Sequence, residues 1–216
     1  MKVNAETSWL GSASASERVL LVSPHADDEW LAAGGALLRL AAAGARIVPV
    51  LCAGSCERWA EFCVVAERYT AEEPRLLLGR LVPDSYLDQQ PMAALVGALD
   101  ALLLELRPRL LLMPGCSHHQ DHAAAHRACA AACRASARHL PPVVVEFNYP
   151  PRGGENLFVD VGSVMERKLE LWGLYESQNG RAPFYTAARL EAEARALGLR
   201  AGCKFAEAFV LRRAAL

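Results

Sequence analysis

Short apolar runs alternate with stretches of helical period along most of the chain. Residues 19–22 are Val-Leu-Leu-Val, a run that reads as a buried strand. Ser23-Pro24 stops it, because proline lacks a ladder donor and fixes φ. From Trp30 the period changes. Leu31, Gly34, Gly35, Leu37, Leu38 and Leu40 favour one side, which predicts a helix over residues 29–43 with Gly44 just past its end. Residues 46–51 predict a second strand, so a β-α-β unit and a parallel pair are complete by residue 51. A charged helical stretch over residues 58–80 follows, interrupted at Pro74, and then a loop over 81–90. Residues 92–106 predict an amphipathic helix ended by Arg107-Pro108, and residues 110–113 a buried strand closed by Pro114-Gly115.

The last third is patterned more weakly. It predicts a strand over 143–147 with Glu146 inside it, a Pro/Gly loop over 150–154 and an extended segment over 156–161. Helices over 163–175 and 183–197 follow, the second stopped by Gly198, and residues 203–211 alternate as a strand. No repeat, linker or low-complexity tract divides the chain. The expectation is a single α/β domain over residues 18–216, a Rossmann-like, mainly parallel sheet flanked by helices, behind a loose lead-in at residues 1–17.

Composition narrows the class. The 216 residues are 53% hydrophobic and 22% charged with a net charge of −1, which suits one soluble domain with a full core and supplies no basic field for nucleic acid or an anionic membrane. No apolar run reaches membrane-spanning length, and residues 1–18 lack the apolar core of a signal peptide. The seven cysteines are odd in number, and Cys52/Cys56 and Cys129/Cys133 are spaced i,i+4 rather than as Cys-x-x-Cys. Reduced core thiols in a cytoplasmic protein are therefore expected, rather than a thiolate zinc site.

Two polar clusters stand out against this background. Ser23-Pro24-His25-Ala26-Asp27-Asp28-Glu29 lies between the first strand and its helix, at the carboxyl edge where open α/β sheets bind ligands. The helix dipole accounts for acids there, but not for a histidine beside them. A histidine and an aspartate offer two metal ligands, and the second aspartate a free carboxylate. That combination serves a metal-activated water and its base. The second cluster, Cys116-Ser117-His118-His119-Gln120-Asp121-His122, follows the strand at 110–113, so parallel strands bring the two turns together. A polar helix start and a polar surface turn are the plain alternatives. Gly34-Gly35 sits inside the helix and suits close packing rather than a phosphate loop; no Gly-x-Gly-x-x-Gly or Gly-Lys-Ser/Thr is present.

Ser23 to Glu29 with Gly34-Gly35 resembles the Pro-His-Pro-Asp-Asp-Glu…Gly-Gly signature of the LmbE-like (PIG-L) zinc-dependent N-acetyl-sugar deacetylases, with Ala26 in place of the usual proline. His119-Gln120-Asp121-His122 resembles that family's His-Pro-Asp-His, with Gln120 in place of proline. Val159-Asp160-Val161, Lys168…Tyr175-x-Ser177-Gln178 and residues 205–209 extend the likeness in separated motifs to about residue 211.

The resemblance implies His25, Asp28 and His122 as ligands of a zinc ion, for which Fe2+ is a substitute. It implies Asp27 as general base, His119 as the group that stabilises the oxyanion and could protonate the leaving amine, and Asp121 as the residue orienting an imidazole. Arg68 and Asp84 fall where the family recruits groups for sugar hydroxyls. The chemistry asks for the same roles, since an amide carbon needs polarisation, a nucleophile at neutral pH and a proton for nitrogen. His118 reads as surface, His126 as a supporting or capping residue, and His139, in a loop before two prolines, is given no role. The expected substrate is a small N-acetylglucosaminyl-type conjugate. A non-sugar amide and a sugar- or nucleotide-binding module without turnover are the alternatives.

Overall fold

Apolar residues alternate along the first strand. Val19 and Leu21 enter one hydrophobic core, Leu20 and Val22 another, and all four are buried. That two-faced burial requires helices on both sides of the sheet. The computed structural model describes residues 17–179, 181 and 185–215, so the expected lead-in lies, Glu17 apart, outside the described residues.

Its strands are β1 (Arg18–Ser23), β2 (Arg46–Leu51), β3 (Arg75–Leu76), β4 (Leu110–Pro114), β5 (Val143–Phe147), β6 (Leu157–Asp160) and β7 (Ala206–Ala214). They form one seven-stranded sheet in the order β3-β2-β1-β4-β5-β7-β6. β3 to β5 pair in parallel, while β7 runs antiparallel to both β5 and β6. This is the single-domain, mostly parallel α/β fold expected. The chain moves outward from β1 through β2 to β3 and then returns to place β4 on β1's other side. The order reverses between β1 and β4, and that crevice is where such sheets hold ligands.

The helices are α1 (Asp28–Ala42), α2 (Cys56–Ala66), α3 (Met92–Leu106), α4 (Gln120–Ala132), α5 (Met165–Trp172) and α6 (Ala187–Ala201). α1, α2, α5 and α6 send side chains such as Leu37, Phe62, Trp172 and Leu190 to one face, and α3 and α4 cover the other with Leu95, Leu99 and Ala128. No helix among the described residues is long and apolar enough to cross a membrane.

Several expectations need correction. The helix expected over 58–80 ends at Ala66, and Pro74 precedes the two-residue β3, which pairs with the end of β2. Proline pushes its predecessor out of helical geometry, so a strand follows it more easily than a resumed helix. α6 runs through Gly198 and stops at Gly202, whose φ is 78°. A Cβ at Gly198 would lie 2.7 Å from the Cys203 and Lys204 carbonyl oxygens, so this glycine permits a close chain approach rather than ending the helix. The expected start of that helix at Pro183 lies outside the described residues. The cysteines are not all core residues: only Cys52 and Cys129 are buried, and Cys56 and Cys116 are exposed.

Gly35 has its packing reason. A Cβ there would fall 2.5 Å from Val161 Cγ1 and 3.1 Å from Glu207 Oε1. Glu207 accepts the Gly35 and Ala36 backbone N–H groups at 2.7 and 2.8 Å, and Lys168 donates to Glu207 at 2.7 Å and to the Leu31 carbonyl at 3.0 Å. A buried ion pair thus grips the middle of α1 and ties it to α5 and β7.

Candidate active site

The ends of β1 and β4 are neighbours, so the turn carrying His25 faces the turn carrying His119. Three donor atoms meet between them. His25 Nδ1 lies 3.4 Å from Asp28 Oδ2, His122 Nε2 lies 3.1 Å from the same oxygen, and the two nitrogens are 3.3 Å apart. A tetrahedral ion with ligand bonds of about 2.0–2.1 Å has donor-to-donor edges of about 3.3 Å. The triangle has that size. His25, His119 and His122 also form a group whose ligand atoms lie within 4.8 Å of one another, so the site could hold a metal with either third donor.

The electrostatics favour a cation at this point. Asp121, buried in the first turn of α4, sits 2.8 Å from His25 Nε2. A ring hydrogen on Nε2 meets that carboxylate, which leaves Nδ1 as the nitrogen turned toward Asp28 and His122. Burial disfavours a second proton on His25, but the Asp121 and Asp28 carboxylates outweigh it and raise its pKa to about 10. Burial alone would raise the Asp28 pKa as well; hydrogen bonds from His122 and His25 hold it well below the usual carboxylate range. Asp121 has a second task. Its oxygens accept the Ser85 and Leu87 backbone N–H groups at 2.6 and 2.9 Å, which pins the loop carrying Asp84 to the site.

His119 is the N-cap of α4, and its Nδ1 accepts the Asp121 N–H at 3.2 Å. In the neutral ring Nε2 is then the donor. Burial comes first in lowering its pKa, and the nearby His25 and His122 lower it further. His119 stands beside the cluster as a hydrogen-bond donor through Nε2, with ring centroids 4.9 Å from His25 and 5.1 Å from His122. His126 points elsewhere, with Nδ1 3.2 Å from the Pro114 carbonyl oxygen and 3.6 Å from Glu146. His118 is exposed, and His139 lies 3.1 Å from the Pro108 carbonyl oxygen.

Asp27 caps α1 with φ of 121°, a region that favours glycine and costs an aspartate about 1–3 kcal/mol. Its neighbours hold it there. Arg58 Nη2 donates to Asp27 Oδ1 at 2.8 Å and to the Ala26 carbonyl at 2.7 Å, while Arg58 Nη1 reaches Asp84 at 3.1 Å. Burial first, then the Asp28 charge, push the Asp27 pKa well above its ordinary value, and Arg58 opposes them.

Arg68, the basic residue expected near the substrate, does not join this network. It lies in an exposed turn past the far end of α2, about 15 Å along the helix axis from Arg58. A sequence signal for Arg58 was available: a basic residue in the first turn of a helix is disfavoured by the dipole and calls for an acidic partner.

Three further residues, Glu29, Tyr175 and Tyr185, were given no role by the sequence reading. Glu29 is fully buried behind the turn. Its Oε2 lies 2.7 Å from Ser23 Oγ and accepts the Asp27 N–H at 3.3 Å, and its Oε1 accepts the Tyr175 hydroxyl. Burial raises its pKa to about 7, against the hydrogen bonds from Tyr175 and Ser23. Tyr175 and Glu29 are 146 positions apart, so no local pattern could have paired them. Tyr185 completes the surroundings. Its ring leans on Tyr149 with centroids 6.5 Å apart, and the Asp27, Asp28 and Arg58 charges act on its phenol.

Comparison with known proteins follows the same lines. In fold, the chain is similar to a conserved protein from Thermus thermophilus, TT1542, at 24% identity over 93% of this chain and 96% of that one, with a TM-score of 0.78. It is similar to the N,N'-diacetylchitobiose deacetylase from Pyrococcus horikoshii at 18% identity over 90% and 83%, TM-score 0.74. The 4-carboxy-2-hydroxymuconate hydratase GalB from Pseudomonas putida is also similar, at 17% identity over 93% and 98%, TM-score 0.71. A search of curated proteins found no match. The family model described as PIG-L, GlcNAc-PI de-N-acetylase, matches residues 20–133, more than half of the chain, running from within β1 to just past α4 and so across both clusters; this chain is a member of the PIG-L family.

Proposed function

We propose that this protein is a metal-dependent amide hydrolase that removes an N-acetyl, or another N-acyl, group from a small N-acetylglucosaminyl-type conjugate. The observation that carries the reading is the triangle of His25 Nδ1, Asp28 Oδ2 and His122 Nε2 beside a buried Asp27 that stands outside it. Family membership and the deacetylase among the structural relatives support it. The fold alone does not choose, since a hydratase shares it.

His25, Asp28 and His122 would hold zinc, or a ferrous ion, through two imidazoles and one carboxylate. Such an ion supplies Lewis acidity and lowers the pKa of water toward ~7. Asp27 then takes the proton from the attacking water. His119 donates its Nε2–H to the oxygen of the tetrahedral intermediate, where one such donor is worth on the order of a hundredfold in rate. Asp27, holding the proton taken from the water, then passes it to the leaving amine. Asp121 fixes the His25 tautomer. Arg58 Nε and Asp84 Oδ1 have no hydrogen-bond partner among the described residues, and a shift of the loop carrying Asp84 would bring them to the hydroxyls of a sugar. The Tyr149–Tyr185 pair offers a sugar ring an apolar face. The free thiols of Cys52, Cys56, Cys63, Cys116, Cys129 and Cys133 suit the cytoplasm.

The test is amine release from a panel of N-acetylglucosaminyl conjugates and non-sugar N-acetyl amides by the metal-loaded protein. Asp27→Asn serves as the control, keeping metal and shape while losing the base. Sugar conjugates should release amine and Asp27→Asn should lose roughly a hundredfold or more in kcat with KM little changed. No release from any substrate, or near wild-type turnover by Asp27→Asn, would sink the reading.

A further inference from the structure

The C-terminal motif that includes Tyr175 is not used by the chemistry above, yet it reaches the catalytic turn. Tyr175 is buried at the end of α5 and gives its hydroxyl hydrogen to Glu29 Oε1. The other carboxyl oxygen of Glu29 touches both ends of the turn. It meets Ser23 Oγ, which is itself 2.7 Å from the His25 carbonyl oxygen, and it accepts the Asp27 N–H. Glu29 therefore spans the turn that separates β1 from α1 from its buried side. Arg58 braces the same turn from the other side through the Ala26 carbonyl and the Asp27 carboxylate. An aspartate at φ 121° persists only where its surroundings over-determine it, and these two braces are the surroundings.

We infer that Glu29, held by Tyr175 and Ser23, is a positioning residue that keeps the turn in the one conformation presenting His25 and Asp28 to a divalent ion and Asp27 beside them. It touches no substrate; it acts through the backbone of Asp27 and the carbonyl of His25. Ser177 extends the brace, because its N–H and hydroxyl bind Glu61 at 2.7 and 2.6 Å and so anchor α2, the helix that carries Arg58. The segment following α5 thus holds both braces, although it contributes nothing to the donor triangle. For Asp27 as general base, this inference rests on the hydrolase reading; for the metal-binding turn, it does not.

The experiment compares Glu29→Ala, Glu29→Gln and Tyr175→Phe with the wild type in three readouts. These are kcat and KM for amine release, the affinity and visible spectrum of bound Co2+, and the thermal unfolding midpoint. Glu29→Ala and Tyr175→Phe should lower kcat about tenfold or more with KM nearly constant, since a misplacement near 1 Å is worth that much. Both should weaken Co2+ binding and alter its spectrum while unfolding cooperatively above the assay temperature. Glu29→Gln, with its amide oxygen accepting from Ser23 and the Asp27 N–H and its NH2 donating to the Tyr175 oxygen, should recover most of the loss. Wild-type kcat and Co2+ spectrum in both Glu29→Ala and Tyr175→Phe would overturn the inference. So would a Glu29→Gln protein as impaired as Glu29→Ala. If the wild type hydrolyses no amide, the hydrolase reading fails and the Co2+ readout alone decides the brace.

Discussion

Removing the Arg58 charge should move the pH dependence of catalysis in a definite direction. Arg58 Nη2 is 2.8 Å from Asp27 Oδ1, and the side chains of both residues are almost wholly out of solvent, at 12% and 7% exposure. Charge centres about 4 Å apart attract by ~4 kcal/mol at an effective dielectric constant of ~20. Asp84 shares the same guanidinium at 3.1 Å but is 40% exposed and partly screened, so most of the effect on a buried charge falls on Asp27. An adjacent guanidinium typically lowers a carboxyl pKa by roughly one to three pH units. Asp27 is already raised, first by burial and then by Asp28, with Arg58 the opposing influence. Arg58→Met deletes that influence, so the carboxylate is less favoured and its pKa climbs further. The acidic limb of kcat/KM should therefore move to higher pH by roughly one to three units, and the rate on that limb should fall about tenfold for each. The assay is the pH profile of kcat/KM for the metal-loaded protein, which reports the free enzyme. Arg68→Met, a change in the exposed turn beyond α2, is the control and should leave the limb in place. Superposable acidic limbs for Arg58→Met and the wild type would refute the argument.

The two histidines of the second cluster should separate by function. His122→Ala should lose most bound metal, whereas His119→Ala should keep it and lose on the order of a hundredfold in kcat; equal metal loss in both would assign the third ligand to His119, in the set His25, His119 and His122. The buried pair that grips α1 should matter for stability. Lys168→Met strands the Glu207 carboxylate, which retains the Gly35 and Ala36 N–H groups, so the cost should fall near the lower end of the range for broken buried pairs, about 3 kcal/mol. Thermal unfolding should register that as a midpoint lower by roughly 6–12 °C, and a drop under ~2 °C would mean that the pair contributes little.

Local pattern determined the framework of this protein. The run Val19 to Val22, the change to helical period after Trp30 and the next run from Ile47 could be read directly, because strand and helix periods are short and repeat along the chain. His25, Asp27, Asp28, His119, Asp121 and His122 were legible for a related reason: ligand-type side chains at two strand ends serve no helical or strand pattern. Parallel pairing then implies that the two ends approach.

The tertiary structure decided how those residues are held. Arg58 and Arg68 are ten positions apart on or just beyond one helix; at 3.6 residues per turn that changes both face and height, and no pattern shows which of them meets an acid on another element. β3 has two residues and no period to detect, and its pairing comes from the end of β2. Gly198 carries a local stop signal that a neighbouring segment overrides by packing against it. Glu29 meets Tyr175 and Gly35 meets Glu207 across 146 and 172 positions, because a buried polar group needs partners and only the packed fold brings these within reach.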